Sequence, residues 1–136
     1  MFRISLCALV FLVAFNGCRK SGEEKAMASL TAKWSLKKVR GSWGPEIFYS
    51  GNEESVIFTK TFYKFLERDS VVKSGSYTIE ESESRNPTCS LLAFTHKLVF
   101  DNNPNKVMYV RISADSLTLG WGCFAADSGI EKYYTR

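Results

Sequence analysis

The chain has 136 residues, room for one ordinary domain. Its 45% hydrophobic and 24% charged content is that of a folded globular protein, which excludes wholesale disorder. The net charge of +4, one unit lower once Arg3 is removed as argued next, is too mild for a nucleic-acid binder, and one histidine with four cysteines leaves little material for a metal cluster.

After Met1-Phe2-Arg3, the stretch from Ile4 to Phe15 is almost unbroken in apolar side chains. It is shorter than the roughly 20 residues that span a bilayer, and it has the length of the h-region of a secretory signal. The stretch ends in Asn16-Gly17-Cys18. A small residue directly before a cysteine resembles a bacterial lipobox, with cleavage between Gly17 and Cys18 and a diacylglycerol on the Cys18 sulfur. Phe15 and Asn16 stand where a strict lipobox has Leu and a small residue. The alternative is an ordinary secretory signal with Cys18 free or paired. Both readings place the protein outside the cytoplasm. The organisation read from the chain is a signal at 1–17, a lipid-anchored flexible tether at 18–29, and a folded domain at 30–136. The expected location is the cell envelope, on the outer membrane, at its periplasmic face or at the cell surface. Each buried CH₂ contributes about 0.8 kcal/mol, so two or three acyl chains hold a protein on a membrane stably.

The domain reads as all-β. From Leu30 to Lys37, Leu30, Ala32, Trp34 and Leu36 alternate with Thr31, Lys33, Ser35 and Lys37, the pattern of a strand with one face buried. A loop follows from Gly41 to Asn52 and carries Trp43. Further strands are predicted at Glu54–Lys60, Thr61–Glu67, Val71–Glu80, Leu91–Phe100, Lys106–Ile112, Ser116–Trp121 and Ile130–Arg136. Arg68-Asp69-Ser70, Asp101 to Asn105 and Ser113-Ala114-Asp115 are good turn sequences, whereas no Gly, Pro or Asn separates Phe58 from Phe62. Eight short strands joined mostly by tight turns predict an antiparallel up-and-down barrel, which removes exposed edges and has room for side chains or one small ligand. A two-sheet sandwich is the alternative, and its Greek-key crossovers suit these short turns less well.

The order of elements resembles a family. After the lipoprotein-type signal come Leu30-x-x-x-Trp34-x-Leu36, then Gly75-x-Tyr77-x-Ile79, Asp115-x-Leu117-x-Leu119, Asp127-x-Gly129 and a final Tyr133-x-x-Arg136. This is similar to the lipocalin-like domain lipoproteins of Gram-negative bacteria. Lipocalins proper carry Gly-x-Trp on the first strand, and here Ala32 stands at the Gly position. The resemblance implies an eight-stranded barrel in which Trp34 plugs the closed end and Arg136 packs over it. It also implies a cup for a small hydrophobic or amphipathic ligand.

No catalytic motif is present in the sequence, so a non-enzyme without cofactor or metal is expected. His96 shares its alternation face with Leu92, Phe94, Leu98 and Phe100. Leu92, Phe94, His96, Leu98 and Tyr109 are therefore the candidates to line a cup opening away from Trp34. The competing reading of His96 is a rim or hydrogen-bonded core histidine, because one histidine without organised partners is not a site. Cys89 and Cys123 remain after Cys7 and Cys18 are assigned, and an oxidising compartment suggests a bridge worth about 3–4 kcal/mol. A strict meander places them at opposite barrel ends, which argues against it, unless the long 82–88 loop, strand shear or a shifted strand boundary brings them together, so the bridge stays open. Aromatic residues make up 14% of the chain and can either fill a barrel or line a pocket. Two functions follow. One is a membrane-tethered ligand-binding barrel. The other is a filled barrel that serves as an envelope accessory or inhibitor through protein contacts, for which Trp43 is the place to look.

Overall fold

The computed structural model describes residues 22–51, 53–82, 94–122 and 129–136. The signal segment, Cys18, Cys89, Cys123 and Leu92 lie outside the described residues. Among the described residues nine strands run in order: β1 (Ala32–Gly41), β2 (Ile47–Phe48), β3 (Glu54–Phe58), β4 (Phe62–Glu67), β5 (Ser70–Glu81), β6 (His96–Phe100), β7 (Val107–Ile112), β8 (Ser116–Trp121) and β9 (Ile130–Thr135). Every pairing is antiparallel, and the sheet closes where β1 meets β9. The two-residue β2 hangs on β1 beside Lys38 and Val39. The other eight strands form a closed up-and-down barrel, so the alternation of apolar and polar residues did specify the architecture.

The short turns explain the meander. Arg68 and Asp69 both have positive φ, 47° and 61°, the geometry of a two-residue hairpin turn whose twist matches its strands. The weakly marked break between β3 and β4 is made by Thr59. Its hydroxyl donates to the Phe62 carbonyl and accepts from the Phe62 amide, at 3.1 and 3.2 Å. A threonine hydroxyl can take the place of a turn residue in this way.

Two expectations change at the amino-terminal end. Residues 22–29, read as part of a flexible tether, belong to a helix, α1 (22–30). Leu30, read as the first residue of the first strand, ends that helix, and β1 runs from Ala32 to Gly41. The cause is a four-residue spacing: Ala26 and Leu30 fall on one helical face and both are buried in the core, with Met27 packed beside them. The polar residues that suggested a linker, Glu23, Glu24 and Lys25, occupy the rest of the helix surface.

The carbonyls at the end of α1 have partners. Thr31 donates to the Met27 carbonyl from its amide and its hydroxyl, at 3.1 and 3.0 Å. Arg136 donates to the Ser29 carbonyl at 2.8 Å, and the Trp34 indole donates to the Leu30 carbonyl at 2.8 Å. A helix leaves its last carbonyls unpaired, and a cation there also complements its dipole.

The core fills the barrel from this end. Trp34, Phe58, Tyr63, Leu98, Phe100, Leu117, Leu119 and Tyr134 are at most 2% exposed. Tyr63 meets Phe100 edge to face at 4.7 Å, and Phe58 meets Tyr77 at 5.2 Å. Such pairs add about 0.5–1.5 kcal/mol to the burial of each ring.

Candidate binding site

The barrel has two different ends. At the α1 end, the Arg136 guanidinium lies 4.8 Å from the centre of the Trp34 ring, while the indole N–H is held by Leu30. The structure thus brings Trp34 and Arg136 together beneath the helix. Outside this plug is a surface cleft of about 570 Å³, lined in part by Lys25, Ser29, His96, Asp115 and Arg136. The Nδ1 atom of His96 is 2.8 Å from the Thr95 hydroxyl.

These positions correct the expected lining of the cup. His96 lies at the plugged end, not at an opposite mouth. Leu98 is fully buried between Ile79 and Met108 in the packed core, so it is not an accessible wall. Tyr109 pairs with Lys97 and Gly120 and shares their face, opposite to the face of Val110 and Leu119 in the core. Cross-strand partners share a face, so Tyr109 points away from the interior. Phe94 lies outside β6, where the alternation no longer binds it. Its ring sits against Gly120, 6.3 Å from the Tyr109 ring and 5.9 Å from the Arg111 guanidinium. A Cβ at Gly120 would stand 2.6 Å from the Phe94 ring, so the glycine provides the notch that this ring occupies.

The other end carries the candidate site. Val56 and Phe58 of β3 are inward, and two-residue alternation puts Glu54 on their face; Lys132 shares the face of Tyr134 on β9. Glu54 accepts from the Lys132 ammonium at 2.8 and 2.6 Å and from the Tyr134 hydroxyl at 2.6 Å. The two charged side chains remain 20% and 25% exposed, so solvent reaches them above the sealed core. Lys132 also lies 5.9 Å from the ring of Trp121, which follows Leu117 and Leu119 on the inward face of β8. Phe65 and Met108 are partly buried against the core on the same inner side. Burial, then the bond and charge of Glu54, push the Tyr134 phenol far above its ordinary value. Tyr134 is therefore a fixed donor at neutral pH, and Glu54 is held by two donors.

The chain matches no family model, no curated protein and no solved structure. The closed antiparallel barrel is the lipocalin-like architecture implied by the resemblance, and it stands on topology alone.

A further polar group borders this end. Tyr63 donates to Asp101 at 3.4 Å, and Lys106 pairs with the same carboxylate oxygen at 3.3 Å. A Cβ at Gly75 would collide with the Asp101 carboxylate, so this glycine gives the carboxylate its place against the Tyr63 edge. Burial is the first cause, and Asp101 the second, of the raised Tyr63 phenol. Lys73 of β5 reaches over the same layer, 5.9 Å from the Tyr63 and Phe100 ring centres.

Glu54, Lys132, Tyr134 and Lys73 were not among the sequence candidates. Their signal was present as charge on an apolar parity: Lys132 alternates with Ile130 and Tyr134, and Glu54 with Val56 and Phe58. The loop residue Trp43, by contrast, is 76% exposed on the connection after β1, near the exposed Ile47 and Phe48.

Proposed function

We propose that the protein is a non-catalytic, lipocalin-like binding module of the cell envelope, held on the outer membrane through Cys18, whose shallow cup takes a small amphipathic molecule. The observation that carries this reading is the inward-facing Glu54, Lys132 and Tyr134 group beside Trp121, partly open to solvent above a packed floor. An apolar wall with few fixed polar groups suits a guest that has an apolar body and one polar tip. The anchor rests on the apolar run ending in Gly17-Cys18. With α1 leading back toward Cys18, the cup at the opposite end would face away from the membrane.

Titration with the neutral fluorescent probe phenylnaphthylamine tests the cup. Saturable binding near one probe per chain, weakened in Trp121→Ala, is the expected result. Absence of saturable binding rejects the cup. The anchor is tested separately, by mass spectrometry of the membrane-fraction protein and by release of Cys18→Ser from that fraction. A Cys18→Ser variant that stays bound contradicts the anchor.

The second reading, a filled barrel acting on an envelope protein, is favoured by one observation. Trp43 and Phe48 are 76% and 73% exposed on the connection that follows β1. Trp is enriched at the centres of protein interfaces.

A further inference from the structure

The charges at the cup end are unequally satisfied. Glu54 is neutralised by Lys132 and further held by Tyr134. Asp101 is neutralised by Lys106 and further held by Tyr63. Lys73 remains. Among the described residues no carboxylate stands within ion-pair distance of it, and its ammonium is placed by the faces of Tyr63 and Phe100 alone. It has the parity of Gly75 and Tyr77 on β5 but is itself exposed, so the charge lies at the rim, above the Tyr63 and Phe100 rings. The space at Gly75, two residues on, is taken by the Asp101 carboxylate and the edge of the Tyr63 ring.

We propose that the polar tip of the guest is an anion, and that Lys73 is the residue that receives it. This rests on the cup being a binding site. A neutral tip would leave the ammonium with ring faces and water as its partners. A cationic tip would meet repulsion from Lys73 and find both carboxylates already occupied. An anionic tip completes Lys73, while the apolar body lies toward Phe65, Met108 and Trp121.

Three amphiphiles of equal chain length, used below their micelle concentrations, test this by isothermal titration calorimetry: dodecanoate, dodecanol and dodecyltrimethylammonium. The wild-type protein is expected to bind dodecanoate at least about tenfold more tightly than dodecanol, a gap of about 1.4 kcal/mol. The gap should narrow as salt rises. Lys73→Met should bring dodecanoate down to the affinity of dodecanol, Lys73→Arg should preserve the preference, and Lys73→Glu should favour the ammonium amphiphile. Lys60→Met, an exposed lysine at the α1 end of the barrel, should change nothing. Equal binding of dodecanoate and dodecanol by the wild type, or a preference that survives in Lys73→Met, overturns the role of Lys73 and leaves the cup standing. Failure of all three amphiphiles to bind overturns the cup itself and the role of Lys73 with it.

Discussion

Trp34 performs two tasks, and substitutions separate them. Its ring fills the plugged end, and its N–H satisfies the Leu30 carbonyl at the end of α1. Trp34→Ala is expected to destabilise the protein by about 3–5 kcal/mol, the range for truncating a large core aromatic. Trp34→Phe keeps most of the ring volume and removes the donor, so about 1–3 kcal/mol should be lost through the unpaired carbonyl. Urea unfolding measures both. A loss below about 1 kcal/mol in Trp34→Ala would be far outside the core range and would place the ring in solvent. Tyr77 offers a pH test. Burial pushes its phenol from 10.0 up to about 12, and its hydroxyl donates to the Thr59 carbonyl at 2.6 Å. The folded state therefore keeps a proton that the unfolded chain begins to release near pH 10. The contribution is fully present below that pH and is lost as pH rises toward 12. Denaturation midpoints should fall across this window, and the fall should be shallower in Tyr77→Phe. An unchanged slope in that variant would contradict the assignment.

At the scale of elements, the weak point of the closure lies between β1 and β3. Their register ends at Ser35 and Ser55, after which β1 continues along β9 and carries β2 on its other side. The Glu54 to Lys132 pair spans this place, because it connects β3 to β9 across β1. A double-mutant cycle on Glu54 and Lys132 should give a coupling of about 1–3 kcal/mol. The exposed pair Lys33 and Asp69, 3.4 Å apart, should give no more than about 0.5 kcal/mol. Equal couplings would mean that Glu54 and Lys132 are only a surface pair. The same elements show what a sequence reveals. Period-two alternation is strong wherever one face is sealed, so the sequence pattern and the structure give β8 the same bounds, Ser116–Trp121. It misleads where a helix and a strand share an apolar spacing: Leu30 continues the alternation of β1 yet completes the i to i+4 face of α1. It also fails past a strand end. Phe94 has the parity of Leu98, but it leaves the ladder and packs on the outer wall because Gly120 opens a notch there. The site residues were hidden for a further reason. Lys132 and Glu54 look like solvent-facing charges until closure of the barrel brings β3 and β9 to the two sides of β1.

The molecule as a whole is a barrel with unlike ends. At one end α1, Trp34 and Arg136 make a plug tied by four hydrogen bonds to the Met27, Ser29 and Leu30 carbonyls. At the other, partly exposed ionic groups sit above the rings of Tyr63, Phe100 and Tyr134. This polarity underlies the proposed function: one end is closed by packing, and the other is left to a guest. The described residues near the plug carry His96 and the surface cleft, yet Arg136 there is already engaged by Trp34 and Ser29. The most direct test is a backbone NMR titration of the folded domain with dodecanoate. Saturable shifts centred on Lys73, Trp121 and Lys132, with His96 and Arg136 unmoved, are the predicted result. Saturable shifts centred on His96 and Arg136, or no saturable shift anywhere, would contradict it.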